Sequence, residues 1–112
     1  MYRTLVDPAT LARHLDDPRW VVIDTRHDPT QPAWGEEGYR EEHIPGARFL
    51  HLDRDLAAPK TGRNGRHPLP SPVAAAATFG AAGIDADKQV VVYDQNLGAY
   101  AARCWWMLRW LG

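Results

Sequence analysis

Short apolar runs alternate with helix-like segments along the chain, and this alternation predicts the fold. Residues 20–24 and 90–94 form the two strongest runs, each apolar until a final aspartate. Continuously apolar strands are typical of a parallel sheet that is buried on both faces. Weaker strand patterns cover residues 5–6 and 47–52, so the sequence predicts four strands.

Helix signals lie between these strands. Asp-Pro at residues 7–8 and Ser-Pro at residues 71–72 each place a capping side chain before a proline that suits the first helical position. A short helix is predicted over residues 39–44, after a loop over residues 25–38 that is rich in proline, glycine and charge. The alternation of strands and helices predicts an α/β fold with a parallel sheet flanked by helices.

The last helix-like segment, residues 98–111, has apolar residues on two sides. One stripe consists of Tyr100, Cys104, Met107, Leu108 and Leu111, and the other of Trp106 and Trp110. Such a helix is usually buried on both sides. Because a βαβ unit would continue into another strand here, we expect residues 1–112 to form a single domain truncated before its last strand. The open edge would favour oligomerisation or strand exchange.

Composition narrows the class of protein without identifying a function. A chain of 112 residues is long enough for one domain, and 45% apolar and 24% charged residues are ordinary for a globular protein. A formal charge of -1 gives no reason to expect nucleic acid or an anionic membrane as a partner. No apolar run approaches the about 18 residues of a membrane helix. The single cysteine excludes an internal disulfide framework and favours a reducing, cytoplasmic setting.

The aspartate that ends the run over residues 90–94 marks the candidate site. In open α/β folds, ligands bind at the carboxyl edge of the sheet. The loop behind this aspartate contains no thiol, hydroxyl or histidine. The candidate site residues are Asp94, Gln95, Asn96, Leu97, Gly98 and Tyr100.

Two segments resemble the rhodanese family of sulfurtransferases. The first is Val-Ile-Asp-Thr-Arg at residues 22–26, with His-Ile-Pro-Gly-Ala at residues 43–47. The second is Val-Val-Val-Tyr-Asp at residues 90–94, with Ala-Arg-Cys-Trp-Trp-Met at residues 102–107. More narrowly, they are similar to the amino-terminal domain of tandem-domain thiosulfate and 3-mercaptopyruvate sulfurtransferases.

The resemblance implies that this chain lacks the catalytic group. Catalytic rhodanese domains carry a cysteine where this chain has Asp94, and its thiolate carries sulfur as a persulfide. In tandem enzymes that cysteine lies in the carboxyl-terminal domain, and the candidate site residues face it. The implied partners are a sulfur donor, a thiol or cyanide acceptor and a second rhodanese domain, with no cofactor and no catalytic residue in this chain.

Ordinary structural roles compete with functional ones at each candidate. Asp94 is expected to cap the following turn and helix, and Cys104 to be a core residue of low reactivity.

Four histidines are predicted not to bind metal because none are paired at helical spacing: His27, His43, His51 and His67. The basic loop residues Lys60, Arg63, Arg66 and His67 could attract an anionic sulfur donor, or could form an ordinary solvated loop. Arg103 is expected to pair with an acid, with Asp24 as the candidate.

Two other functions remain open at this point. A rhodanese-like module without the cysteine could bind a partner and catalyse nothing. A phosphatase of related fold also needs a cysteine in the loop, which this sequence lacks at Asp94.

Overall fold

A parallel sheet forms the centre of the protein in the computed structural model, which describes residues 2–63, 65–95 and 98–112. Three strands were found within these residues: β1 (Trp20–Asp24), β2 (Arg48–Phe49) and β3 (Gln89–Tyr93). Their order is β2-β1-β3, and both pairings are parallel. The carboxyl ends of the strands therefore meet at one edge of the sheet.

Four helices flank the sheet within the described part of the chain. They are α1 (Pro8–Ala12), α2 (Trp34–Glu41), α3 (Pro72–Ala81) and α4 (Ala99–Leu111). The two predicted caps are present: the Asp7 carboxylate accepts from the Thr10 N–H, and the Ser71 hydroxyl accepts from the Ala74 N–H. The α/β class with a helix-flanked parallel sheet is confirmed.

Both faces of the sheet are covered by helices. On one face, Ile23 packs with Phe79 of α3 and Met107 of α4. On the other, Val22 packs with Leu11 of α1. Neighbouring residues of β1 thus point to opposite faces, as the pleat requires. This arrangement explains why the strand sequences are continuously apolar instead of alternating.

Several predicted elements were wrong in extent. Residues 5–6 form no strand, and the Leu5 side chain is almost fully exposed. The helix predicted over residues 39–44 is α2, which begins at Trp34, within the predicted loop, and ends at Glu41, before Ile44. Glu36 and Glu37 lie in its first turn. Acidic side chains there complement the helix dipole. The strand predicted over residues 47–52 shortens to β2, since the chain turns away after Phe49 to reach the His51–Asp55 turn.

The second apolar stripe of α4 is not buried as predicted. Trp106 and Trp110 stack on each other, and 47% and 37% of their surfaces are exposed. The first stripe behaves as predicted, because Cys104 and Met107 are fully buried. Oligomerisation or strand exchange through this side of the molecule stays a prediction. None of the described helices is long and apolar enough to cross a membrane.

Candidate functional site

Asp94 binds the backbone of the turn that leads into α4. One carboxylate oxygen accepts from the Gly98 N–H at 3.0 Å, and the other accepts from the N–H groups of Tyr100 and Ala101 at 2.9 and 2.8 Å. Gly98 has a φ of 86°, a conformation that glycine adopts without strain. A carboxylate at a helix N-terminus is also stabilised by the helix dipole. These contacts match the capping role expected of Asp94.

The other residues of the candidate loop differ in their surroundings. Gln95 and Gly98 are exposed, and Tyr100 is half-buried with its ring 5.2 Å from that of His27. Asn96 and Leu97 lie outside the described residues, so the structure does not place them. The described part of the loop therefore presents mainly backbone and amide groups to solvent.

Asp24, at the end of β1, belongs to a buried polar network. Its carboxylate accepts from the Arg26 guanidinium, with Nη2 to Oδ2 at 2.7 Å, and from the Tyr93 hydroxyl at 2.9 Å. The hydrogen bonds from Arg26 to this carboxylate raise the pKa of the guanidinium. Burial raises the pKa of Tyr93 to about 12, so its hydroxyl stays protonated and donates. This network ties β1 to β3 and has a structural role.

The predicted pairing of Arg103 with Asp24 was wrong. The Arg103 guanidinium donates to the carbonyl oxygens of Leu56, His67 and Pro68. Asp24 is already satisfied by Arg26, which lies two residues away in the sequence. Arg103 therefore fastens α4 to the loop that follows β2, and desolvation lowers its pKa.

A histidine cluster lies at the same edge of the sheet. His27 follows β1, and His51 and Asp53 follow β2, so the ends of two adjacent strands bring them together. His27 is 1% exposed, and its Nε2 has no hydrogen-bond partner among the described residues. Asp53 Oδ2 lies 3.8 Å away, an ion-pair distance only for a protonated imidazole. Burial lowers the pKa of His27, which favours the neutral ring.

This grouping was not predicted, because its histidines do not have the helical spacing that marks many metal sites in a sequence. His67 also reaches the cluster, with its Nε2 3.2 Å from Asp53 Oδ1. The available signal was that His27 follows the predicted strand over residues 20–24 and that His51 lies near the end of the one over residues 47–52, because the carboxyl ends of parallel strands meet at one edge. Lys60, Arg63 and Arg66 remain exposed on the loop, as an ordinary solvated loop would have them.

We expect Cys104 to resist thiol reagents in the folded chain. Its side chain is fully buried, and desolvation raises its pKa to about 12, so almost no reactive thiolate forms at neutral pH. Ellman's reagent should label the native chain much more slowly than the denatured chain. A Gln95→Cys change in a Cys104→Ser background provides an exposed thiol as the control. Equal labelling rates of Cys104 and this control would contradict the burial of Cys104.

Comparison with known proteins identifies the relatives of this chain. A family model described as "Rhodanese-like domain" matches residues 7–112. A "Probable 3-mercaptopyruvate sulfurtransferase" of Pseudomonas aeruginosa is 48% identical over 109 residues, which cover 96% of this chain and 38% of that protein. The thiosulfate sulfurtransferase of Bos taurus is 36% identical, covering 100% of this chain and 39% of that protein.

Solved structures agree with these sequence matches. The 3-mercaptopyruvate sulfurtransferase of Leishmania major superposes with a TM-score of 0.84 at 30% identity, covering 93% of this chain and 28% of that chain. A 3-mercaptopyruvate sulfotransferase of Escherichia coli gives a TM-score of 0.79 at 36% identity, covering 94% and 40%. The chain thus spans well under half the length of these relatives.

Proposed function

Since this chain belongs to the rhodanese family, we propose that it is the amino-terminal, supporting type of domain in a cytoplasmic sulfurtransferase. That enzyme moves sulfane sulfur from thiosulfate or 3-mercaptopyruvate to a thiophilic acceptor such as cyanide. A cysteine on a second rhodanese domain carries the sulfur as a persulfide. The names of the relatives, which include both thiosulfate and 3-mercaptopyruvate sulfurtransferases, support this class of reaction.

The contacts of Asp94 carry the proposal. This residue follows β3, where the resemblance places the cysteine of catalytic domains. Unlike a thiolate, a carboxylate cannot carry a sulfane sulfur. Three backbone N–H groups, which could otherwise stabilise a thiolate, already donate to the Asp94 carboxylate. The only thiol of the chain, Cys104, is buried on α4.

In this proposal the Asp94 loop forms one wall of a site between two domains. Gln95 and Gly98 are exposed and can contact a partner domain. Tyr100 is held at this edge by its ring contact with His27. Asn96 and Leu97 belong to the same proposed wall by their place in the sequence.

We expect the purified 112-residue chain to transfer no sulfur by itself. Thiocyanate formation from thiosulfate and cyanide should equal the reagent blank, because the chain offers no accessible thiolate at this edge. The Cys104→Ser chain is the matched control and should give the same blank value.

Activity that survives the Cys104→Ser change would contradict the proposal, since it would require a nucleophile other than a thiol. Activity that the same change abolishes would instead make Cys104 the nucleophile. Both outcomes would have to be reproduced after removing traces of host sulfurtransferase by a second purification step.

A non-catalytic binding module is the second candidate function. The same capping of Asp94 and burial of Cys104 favour it, because they would also suit a domain that performs no chemistry. The coding frame beyond Gly112 distinguishes the two functions. A further domain with a strand that ends in cysteine before a glycine-containing loop supports the enzyme, whereas a stop codon supports the module.

A further inference from the structure

Three side chains at the carboxyl edge of the sheet have the composition and spacing of a metal-binding site. His27, His51 and Asp53 each offer one ligand atom, and these atoms lie within 4.8 Å of one another. Imidazole nitrogens combined with a carboxylate oxygen suit Zn²⁺, whereas Mg²⁺ and Ca²⁺ prefer oxygen ligands alone. We propose that these three residues bind a divalent transition-metal ion of the Zn²⁺ type.

The buried nitrogen of His27 is the strongest support. Its Nε2 is shielded from solvent and has no hydrogen-bond partner among the described residues, although buried polar atoms are nearly always paired. The nearest carboxylate oxygen, Asp53 Oδ2, is 3.8 Å away, which is beyond hydrogen-bonding distance. A metal ion held between His27 Nε2 and Asp53 Oδ2 gives both atoms a partner.

His51 already has the hydrogen bond that orients a metal-binding histidine. Its Nε2 lies 2.8 Å from the Pro32 carbonyl oxygen, so this nitrogen carries the proton and Nδ1 keeps a lone pair. Metal-binding histidines commonly donate their second ring N–H to a backbone carbonyl in this way. The backbone N–H groups of Asp53 and Arg54 donate to Nδ1 at 3.1 and 3.3 Å, so an ion that binds this nitrogen must displace these two hydrogen bonds.

Asp53 joins the buried part of the cluster to solvent. Its side chain is 40% exposed, which provides an entry path for an ion. The other carboxylate oxygen of Asp53 lies 3.2 Å from His67 Nε2. His67 therefore orients this carboxylate without itself binding the ion. Edge-on contacts of the His27 ring with the rings of His51 and Tyr100, both at 5.2 Å, hold its position.

Titration of the chelator-treated full chain with Zn²⁺ and with Co²⁺ tests the proposal. Calorimetry should give one Zn²⁺ per chain, and bound Co²⁺ should show the strong visible absorption of tetrahedral coordination. Asp53→Asn and His51→Gln should abolish this absorption, because each removes a ligand. His67→Gln should keep the absorption and weaken binding by about 10–100-fold, as expected for a residue that orients a ligand.

His43→Gln is the matched control, because His43 is an exposed histidine whose ring stacks on Tyr39, away from the cluster. It should bind Zn²⁺ as the unchanged chain does. Circular dichroism of each variant checks that the fold is retained, and Asp53 is exposed enough for its variant to fold. Absence of saturable binding by the unchanged chain would overturn the proposal. Binding that Asp53→Asn and His51→Gln leave intact, or that His43→Gln reduces equally, would also overturn it.

Discussion

Replacing Asp24 with asparagine should lower the free energy of unfolding by about 3 kcal/mol. The Asp24 side chain is fully buried and accepts from the guanidinium of Arg26 and the hydroxyl of Tyr93. The amide keeps the shape but turns a donor group toward these donors, and it leaves the Arg26 charge without its partner. Because the Arg26 side chain is 12% exposed, we expect the lower end of the range for broken buried ion pairs.

Urea denaturation of the two chains measures this loss. Arg19→Gln is the matched control, since it removes the ion pair between Arg19 and Asp17 at an exposed position. Its denaturation midpoint should equal that of the unchanged chain, because exposed ion pairs contribute little. A change of less than about 0.5 kcal/mol in Asp24→Asn, the size of an ordinary surface effect, would refute the structural role given to this network.

Replacing Gly35 with alanine should destabilise the fold by about 3 kcal/mol, the upper end of the usual range for overpacking. A Cβ atom at Gly35 would lie 1.9 Å from the carbonyl oxygen of Arg26 and 2.8 Å from its carbonyl carbon. Both are backbone atoms, so no side-chain rotation relieves the overlap. Helix α2 would have to move away from the chain segment that follows β1.

Gly38→Ala in the same helix separates this overlap from the intrinsic effect of alanine. The nearest heavy atom to a Cβ at Gly38 is Arg26 Nη1 at 3.6 Å, an ordinary contact. Alanine there should stabilise the chain by about 0.5–1 kcal/mol, because glycine is unfavourable inside a helix. Urea denaturation of both variants makes the comparison. If Gly35→Ala were as stable as Gly38→Ala, the close approach of α2 to Arg26 would be wrong.

The starts of α1 and α3 and the two strongest strands could be predicted because caps and apolar runs are visible in the sequence itself. The caps of α1 and α3 each join a side chain to an N–H three residues further on. The runs that became β1 and β3 are apolar throughout because helices cover both faces of the sheet. The start of α2 could not be read in this way, because its N-cap residue, Ala33, makes no side-chain capping hydrogen bond.

In the candidate site, too, local contacts were predicted correctly and contacts between distant segments were not. Asp94 was expected to cap the turn behind it, and its described bonds to Gly98, Tyr100 and Ala101 reach that turn and the first residues of α4. Arg103 was paired wrongly, because the sequence shows no sign of the three carbonyl groups that surround it. Carbonyl groups are present at every residue, so their use as partners has no sequence pattern.

The sequence by itself determined the α/β class, the family resemblance and the acid that stands where a catalytic domain has cysteine. The class follows from the alternation of apolar runs and helix signals. The resemblance rests on the motifs at residues 22–26, 43–47, 90–94 and 102–107, and the comparison of Asp94 with a catalytic cysteine is what that resemblance implies. Only the tertiary structure decided that His27, His51 and Asp53 meet, and that Trp106 and Trp110 stay exposed. The physical reason is that parallel strands place distant segments side by side. The spacing of residues in the sequence does not show which strand ends become neighbours.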